Sequence, residues 1–68
     1  MGLIKRSFSL SGHRTSVALE PEFWSVLSDI AARRGTSLSA LVAAVDAARS
    51  PGQPLASALR IVALQQRA

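Results

Sequence analysis

Polar and apolar positions alternate along residues 13–19, which is the pattern of a half-buried β-strand. The odd positions are His13, Thr15, Val17 and Leu19, and the even positions are Arg14, Ser16 and Ala18. A weaker alternation within residues 1–12 permits a short strand, but its apolar residues, Phe8 and Leu10, are even-numbered. The phase changes at Gly12, which predicts a bulge or a break there.

Three helical patterns follow the strand. Pro21 begins the first helix, because its fixed φ suits the first helical position, and Gly35 can take the left-handed conformation that ends it. Ser37 is the predicted cap of the second helix, which ends near Arg49. A loop over residues 50–54 separates it from a third apolar stripe, formed by Leu55, Ala58, Leu59 and Val62.

A single strand leaves peptide groups unpaired at both edges, and the sequence offers no second strong strand. We therefore predict antiparallel pairing with the same strand of a second copy, about a two-fold axis. Apolar residues make up 49% of the chain, but many are alanines, so large core side chains are few and a shared core is favoured. The expected dimer core consists of Val17, Leu19, Trp24, Leu27, Ile30, Leu41, Val42 and Val45.

The charge is concentrated at the beginning of the chain. The net charge is +4, from seven Arg and one Lys against four acidic residues, and the first acidic residue is Glu20. Residues 1–19 therefore carry Lys5, Arg6 and Arg14 without neutralisation. A basic end rich in guanidinium favours an anionic surface such as phosphate as the partner.

A two-stranded ribbon with a polar face fits the major groove of double-stranded DNA. In such a ribbon, the even-numbered side chains of residues 13–19 face outward. Arg14 can donate two hydrogen bonds to guanine, Ser16 can bond several base edges, and Ala18 can touch a thymine methyl group. Lys5 and Arg6 would contact phosphates from a basic arm.

Three parts of the sequence resemble the ribbon-helix-helix (MetJ/Arc-type) DNA-binding proteins, in particular a bacterial branch of small members with an added C-terminal helix. They are the stretch GHRTSVALEPEFW, the turn at residues 31–35 and the start of the second helix at residues 36–39. The resemblance covers residues 13–49. It implies a mainly α fold with one short strand, and an intertwined homodimer with an intermolecular ribbon. It also implies base reading by Arg14, Ser16 and Ala18, and a phosphate anchored by Ser37, Leu38 and Ser39 at a helix start. Ala18 departs from the family, which usually has longer polar side chains at the positions that contact bases.

These observations divide the chain into a basic arm (1–12), a ribbon-helix-helix domain for DNA binding and dimerisation (13–49), and a loop with a C-terminal helix (50–68). The expected function is a transcriptional repressor. An alternative is an antitoxin-like protein-interaction module, in which the third helix binds a protein partner and DNA binding is weak or lost. That helix could equally cover the core or join dimers into a dimer of dimers.

Several classes of function are disfavoured. With no cysteine, one histidine and four dispersed carboxylates, we expect no catalytic residues, no metal site and no cofactor. The chain shows no secretory segment, and its most apolar run is too short to cross a bilayer. Its basic residues do not gather on one helix face, as a membrane-surface helix would require. We expect a cytoplasmic protein that is not an enzyme.

Overall fold

Two strands and three helices make up the chain in a computed structural model that describes residues 2–67. Their order is β1 (Ile4–Leu10), β2 (His13–Leu19), α1 (Pro21–Arg33), α2 (Leu38–Ala48) and α3 (Leu55–Gln66). The fold is mainly helical, as predicted. The terminal residues of the predicted arm and C-terminal segment, 1 and 68, lie outside the described residues.

The strands form an antiparallel hairpin, with Leu10 opposite His13 at the turn and Ile4 opposite Leu19 at the far end. The two turn residues, Ser11 and Gly12, have φ values of 52° and 82°. Left-handed backbone at both positions defines the tight type I′ turn that matches the twist of a hairpin. This register places even-numbered residues of β1 beside odd-numbered residues of β2, which explains the change of phase at Gly12.

The prediction of a single strand is wrong, because residues 4–10 of the predicted arm form β1. In this chain the partner of β2 is therefore β1 of the same chain. The weak pattern has a physical origin: Arg6 occupies an even position among the apolar residues of β1, and its guanidinium lies over an aromatic ring instead of entering the core. Pairing of β2 with the β2 of a second copy stays a prediction.

The helix boundaries follow local signals. At the end of α1, Gly35 has a φ of 68° and donates its N–H to the Ala32 carbonyl, while Thr36 donates to Ala31. This is a Schellman motif, which satisfies the last carbonyls of the helix. At the start of α2, the Ser37 hydroxyl accepts a hydrogen bond from the Ala40 N–H at 3.0 Å, which confirms the predicted cap.

The core lies between the inner face of the hairpin and the three helices. Seven of the eight residues predicted for a dimer core are buried within this one chain, and Val45 is half-buried against them. Phe8 and Leu10 from β1 and Leu59 and Ala63 from α3 complete the same cluster. Helix α3 therefore covers the core, which was one of the roles considered for it.

Polar contacts hold α3 in place. Arg60 donates two hydrogen bonds to one carboxylate oxygen of Glu20, and Arg33 and Arg34 at the end of α1 donate to Gln66. In the preceding loop, the Arg49 guanidinium bonds Asp46 at 2.7 Å and the Gln53 carbonyl at 2.6 Å. The basic residues beyond α1 are thus largely engaged within the fold.

Candidate nucleic-acid interface

One face of the hairpin points away from the helices, and we call it the outer face. It carries three side chains from each strand: Lys5, Ser7, Ser9, Arg14, Ser16 and Ala18. The five polar or charged members are exposed, and Ala18 is half-buried. The predicted base-reading residues Arg14, Ser16 and Ala18 therefore share one face.

The pairing across the strands gives this face a definite arrangement. Lys5 lies opposite Ala18 at the open end of the hairpin, and Ser9 lies opposite Arg14 near the turn. Between them, the hydroxyls of Ser7 and Ser16 are hydrogen-bonded at 3.0 Å. The outer face is thus a polar ribbon with one positive charge towards each end.

This face has a positive charge that the rest of the chain does not neutralise locally. Among the described residues, neither Lys5 nor Arg14 forms a salt bridge, and no acidic residue occurs before Glu20. The carboxylates of Glu20 and Asp46 are each paired with an arginine from the helical part of the fold. The basic hairpin therefore presents a one-sign surface that suits an anionic partner.

Trp24 on α1 fixes β1 to the helices. Its indole Nε1 donates a hydrogen bond to the Ile4 carbonyl at 2.7 Å, and its ring centroid lies 5.9 Å from that of Phe8. The guanidinium carbon of Arg6 lies 5.4 Å from the Trp24 ring centroid, which is cation–π distance. These contacts make the hairpin a rigid extension of the helical core.

The structure separates the two residues that were expected to act together as arm contacts to phosphate. Lys5 lies on the outer face, whereas Arg6 lies on the helix-facing side over Trp24. Arg6 is exposed but does not share the face that carries Arg14.

The predicted phosphate anchor lies at the start of α2. Ser37 and Ser39 are exposed there, while Leu38 is half-buried against the core. The first turn of α2 contains no acidic residue, so no side-chain charge opposes the positive end of the helix dipole. Helix α2 packs against β1, which places the anchor and the hairpin within one rigid unit.

Glu20, between the hairpin and α1, has a lowered pKa. A hydrogen bond from its own backbone N–H lowers the pKa of Glu20, and the hydrogen bonds from Arg60 lower it further. The Arg60 guanidinium also lies 5.7 Å from the Phe23 ring centroid. Glu20 therefore joins the strand–helix junction to α3 and stays charged near neutral pH.

A second surface feature lies away from the hairpin. A groove of about 400 Å³ runs between α2 and α3, lined by Ala44, Val45, Ala48, Ile61 and Val62 with arginines at its edge. Ile61 is 44% exposed there, and Leu64, on the same helix, is 56% exposed.

Sequence reasoning missed Ser7 and Ser9 as members of the outer face and assigned Lys5 to a basic arm. The signal that could have found them was the phase change at Gly12. A two-residue turn between strands of opposite phase places odd residues of the first strand beside even residues of the second.

Comparisons with known proteins support this description. The chain is similar to an uncharacterised protein from Bordetella pertussis Tohama I whose structure is solved, with 33% identity and a TM-score of 0.77; the match covers 93% of this chain and 54% of that one. The chain thus spans about half the length of that relative. No curated protein matches, and none of the helices over residues 2–67 has the length and apolar character needed to cross a membrane. The ribbon-helix-helix domain matches residues 3–67, so the chain belongs to the ribbon-helix-helix family of DNA-binding regulators.

Proposed function

We propose that this protein is a sequence-specific DNA-binding transcriptional repressor that inserts its β-ribbon into the major groove. The observation that carries the proposal is the outer face, a two-stranded polar ribbon with Lys5 and Arg14 and no acidic residue. The ribbon is backed by an apolar core, so the face that points away from the helices is the one available to DNA.

The dimensions of the ribbon suit the groove. Two strands lie about 4.8 Å apart, and the major groove is about 12 Å wide, which leaves room for a layer of side chains on both strands. Arg14 can donate two hydrogen bonds to the O6 and N7 atoms of guanine, and Ser16 can bond several base edges. Ala18 offers only apolar contact, for example with a thymine methyl group.

Phosphate contacts would fix the position of the ribbon on the duplex. The free N–H groups at the start of α2, around Ser37, Leu38 and Ser39, form the proposed anchor, because a helix N-terminus attracts an anion. Arg6 is exposed on the helix-facing side of the hairpin, over Trp24, and its expected anionic partner is a phosphate. Binding at a promoter would then exclude the transcription machinery.

Ribbon-helix-helix domains generally bind DNA as dimers. We propose that two copies of this chain act together on one operator. In the arrangement predicted from the sequence, β2 of one copy pairs with β2 of the other to form an intertwined ribbon. Each copy can keep its own hairpin in that arrangement, because β1 occupies one edge of β2 and the other edge is open to the β2 of the second copy.

The test is DNA binding by the wild type, Arg14→Ala and a charge-matched control. Operator DNA is first selected from a random duplex pool with the wild-type protein. Arg14→Ala should weaken binding to it by about 1–3 kcal/mol and relax the preference for guanine at one position. Arg67→Ala removes the same charge, but Arg67 lies beside Asp29 and Arg33 of α1, away from the hairpin. This control variant should bind operator DNA almost normally. Equal binding by Arg14→Ala and the wild type would refute the groove assignment.

A protein-interaction function of the antitoxin-like kind is the second candidate. It is favoured by the groove between α2 and α3 and by the exposed side chains of Ile61 and Leu64. Deleting α3 cannot test it, because Leu59 and Ala63 belong to the core. The double variant Ile61→Lys, Leu64→Lys should stay folded and bind DNA while losing a protein partner; unchanged partner capture from cell extract would exclude this surface.

A further inference from the structure

We propose that β1 is a phosphate-binding flank of a sheet shared by two copies. In this sheet the two β2 strands lie in the major groove, and each β1 lies along one wall of the groove with Lys5 bound to a DNA phosphate. The inference rests on the proposed DNA-binding function and on the predicted pairing of β2 with the β2 of a second copy. It assigns different tasks to the two strands of the outer face, base contact to β2 and backbone contact to β1.

The free edge of β2 determines where β1 lies in such a sheet. Strand β1 occupies one edge of β2, and among residues 2–67 no strand occupies the other edge. Pairing through that free edge gives the strand order β1–β2–β2–β1, with the two β1 strands outermost. A two-fold axis perpendicular to the sheet turns the outer faces of both hairpins to the same side, so that all four strands face the DNA.

The width of this sheet excludes β1 from the floor of the groove. Neighbouring strands are about 4.8 Å apart, so the backbones of the two outermost strands are separated by about 14 Å. The major groove is about 12 Å wide, which accommodates the two β2 strands but not all four strands. Each β1 therefore meets one wall of the groove, where the sugar–phosphate backbone is the surface within reach.

The side chains of β1 suit a phosphate partner. Lys5, Ser7 and Ser9 are all exposed on the outer face. An ammonium group binds phosphate as a point charge and serine hydroxyls donate to phosphate oxygens, so neither group depends on the base sequence. The planar guanidinium, which can pair with two acceptor atoms of guanine at once, is supplied by Arg14 on β2. The chemistry of the two strands thus matches the two tasks.

Lys5 is available for this contact and its backbone is fixed in place. In the described part of the chain Lys5 forms no salt bridge. The carbonyl of the preceding residue, Ile4, accepts a hydrogen bond from the Trp24 indole at 2.7 Å. Phe8 and Leu10 fix the other half of β1, since each is only 6% exposed in the core. A strand fixed along its inner face presents Lys5 at a defined position, which a mobile arm would not do.

The flank also compensates for a weak base contact on β2. Ala18 lies directly opposite Lys5 and has no polar atom in its side chain, so this end of β2 adds little to binding through the bases. A phosphate contact at the same end supplies affinity without sequence preference. With one Lys5 in each copy, two phosphates are neutralised per dimer. The slope of log K against log salt concentration should therefore be steeper by about 1.8 than without these contacts.

The experiment compares the full-length wild type, Lys5→Gln, Lys5→Arg and the control Arg67→Ala on an operator that the wild type selects from a random duplex pool. Raising the salt concentration from about 50 to about 200 mM should reduce the affinity advantage of the wild type over Lys5→Gln by about 12-fold, because two phosphate contacts are lost per dimer. Lys5→Arg keeps the charge and should keep the wild-type salt dependence. Arg67→Ala should match the wild type.

Two further measurements separate a phosphate contact from base reading and from unfolding. Selection with Lys5→Gln should return the wild-type motif, with weaker binding to all sequences. Thermal unfolding of Lys5→Gln should match that of the wild type, because the side chain of Lys5 is exposed. Ethylation of phosphates on both DNA strands should block wild-type binding, and on each strand one of these phosphates should no longer interfere with binding by Lys5→Gln.

Two outcomes would overturn the inference while leaving the proposed function intact. One is an altered base preference of Lys5→Gln at one position of the motif, which would place β1 in the groove as a base reader. The other is a salt dependence and an ethylation pattern of Lys5→Gln identical to those of the wild type, which would place β1 outside the interface. If the wild type enriches no motif, the proposed function itself fails.

Discussion

Adding a single methyl group at Gly12 should measure how much the hairpin turn contributes to stability. Gly12 has a φ of 82°, in the left-handed region, where a residue with a Cβ pays about 1–2 kcal/mol. No atom lies within 4 Å of the place that a Cβ at Gly12 would occupy, so no steric clash adds to this cost. We therefore expect Gly12→Ala to lower the free energy of unfolding by about 1–2 kcal/mol.

This loss is large for such a short chain. At about 0.05–0.15 kcal/mol per residue, a domain of 68 residues has a total stability of roughly 3–10 kcal/mol. Each 1 kcal/mol changes the Tm of a domain of this size by about 4–8 °C. The Tm of Gly12→Ala should accordingly fall by about 4–16 °C.

The assay is thermal and urea unfolding, followed by far-UV circular dichroism and by the fluorescence of Trp24. Gly2→Ala is the control for the methyl group itself, because Gly2 has neither a positive φ nor an atom near its Cβ position. A chemically synthesised chain with D-alanine at position 12 is the sharper control. It carries the same methyl group with the handedness that favours a positive φ, so it should be at least as stable as the wild type.

Equal stability of the L- and D-alanine forms at position 12 would refute the reasoning. The turn would then not be left-handed, and residues 4–10 would not be folded back onto β2. A loss at Gly2→Ala equal to that at Gly12→Ala would lead to the same conclusion.

Three further perturbations test other parts of the fold. Trp24→Phe removes the donor to the Ile4 carbonyl and should cost about 1–2 kcal/mol in urea unfolding; no change would show that this bond does not hold β1. Ser37→Ala removes the cap of α2 and should lower the free energy of unfolding by about 1 kcal/mol. Ser37→Asp keeps a capping side chain and should retain the stability, but its negative charge should weaken DNA binding. Normal DNA binding by the Asp variant would exclude phosphate from this helix start. The folded-state pKa of Glu20 is lowered, first by the hydrogen bond from its own backbone N–H and then by Arg60. The contribution of the Glu20 carboxylate to stability is therefore present above the unfolded-state pKa and is lost as the pH falls through the folded-state pKa. Glu20→Gln should therefore be slightly less stable than the wild type near neutral pH, and its free energy of unfolding should depend less on pH in the acid range. An unaltered pH dependence would contradict a stabilising role of the Glu20 carboxylate.

The helices were predictable because each begins or ends with residues that act locally. Pro21 at the start of α1, Gly35 after its end and Ser37 at the start of α2 work through φ values and single hydrogen bonds. Such signals need no knowledge of the tertiary structure.

Strand β1 was not predicted because its pattern depends on tertiary contacts. Arg6 falls at an apolar position of the alternation, and only the ring of Trp24, far along the sequence, makes that position favourable for a guanidinium. The turn contributed to the error. Ser11 takes a φ of 52° in place of the Asn or Gly that usually marks a type I′ turn, so the hairpin signal in the sequence was weak.

Only the residues that β2 contributes to the outer face were predicted from the sequence. Arg14, Ser16 and Ala18 follow directly from the alternation of β2, since the pleat fixes which side chains share a face. Lys5 and its neighbours on β1 could be assigned only once the partner strand and its register were known, because a shift of one residue would exchange the two faces of the strand.

Pairing of β2 with β1 does not exclude pairing with a second copy, because a strand has two edges. In this chain β1 occupies one edge of β2, and among residues 2–67 no strand occupies the other edge. The free edge leaves backbone N–H and C=O groups that the same edge of a second β2 strand can satisfy. We therefore expect the Tm of the protein without DNA to rise with protein concentration, as it does where a second copy takes part in the fold. A Tm that is independent of concentration would contradict the predicted pairing of β2 with the β2 of a second copy.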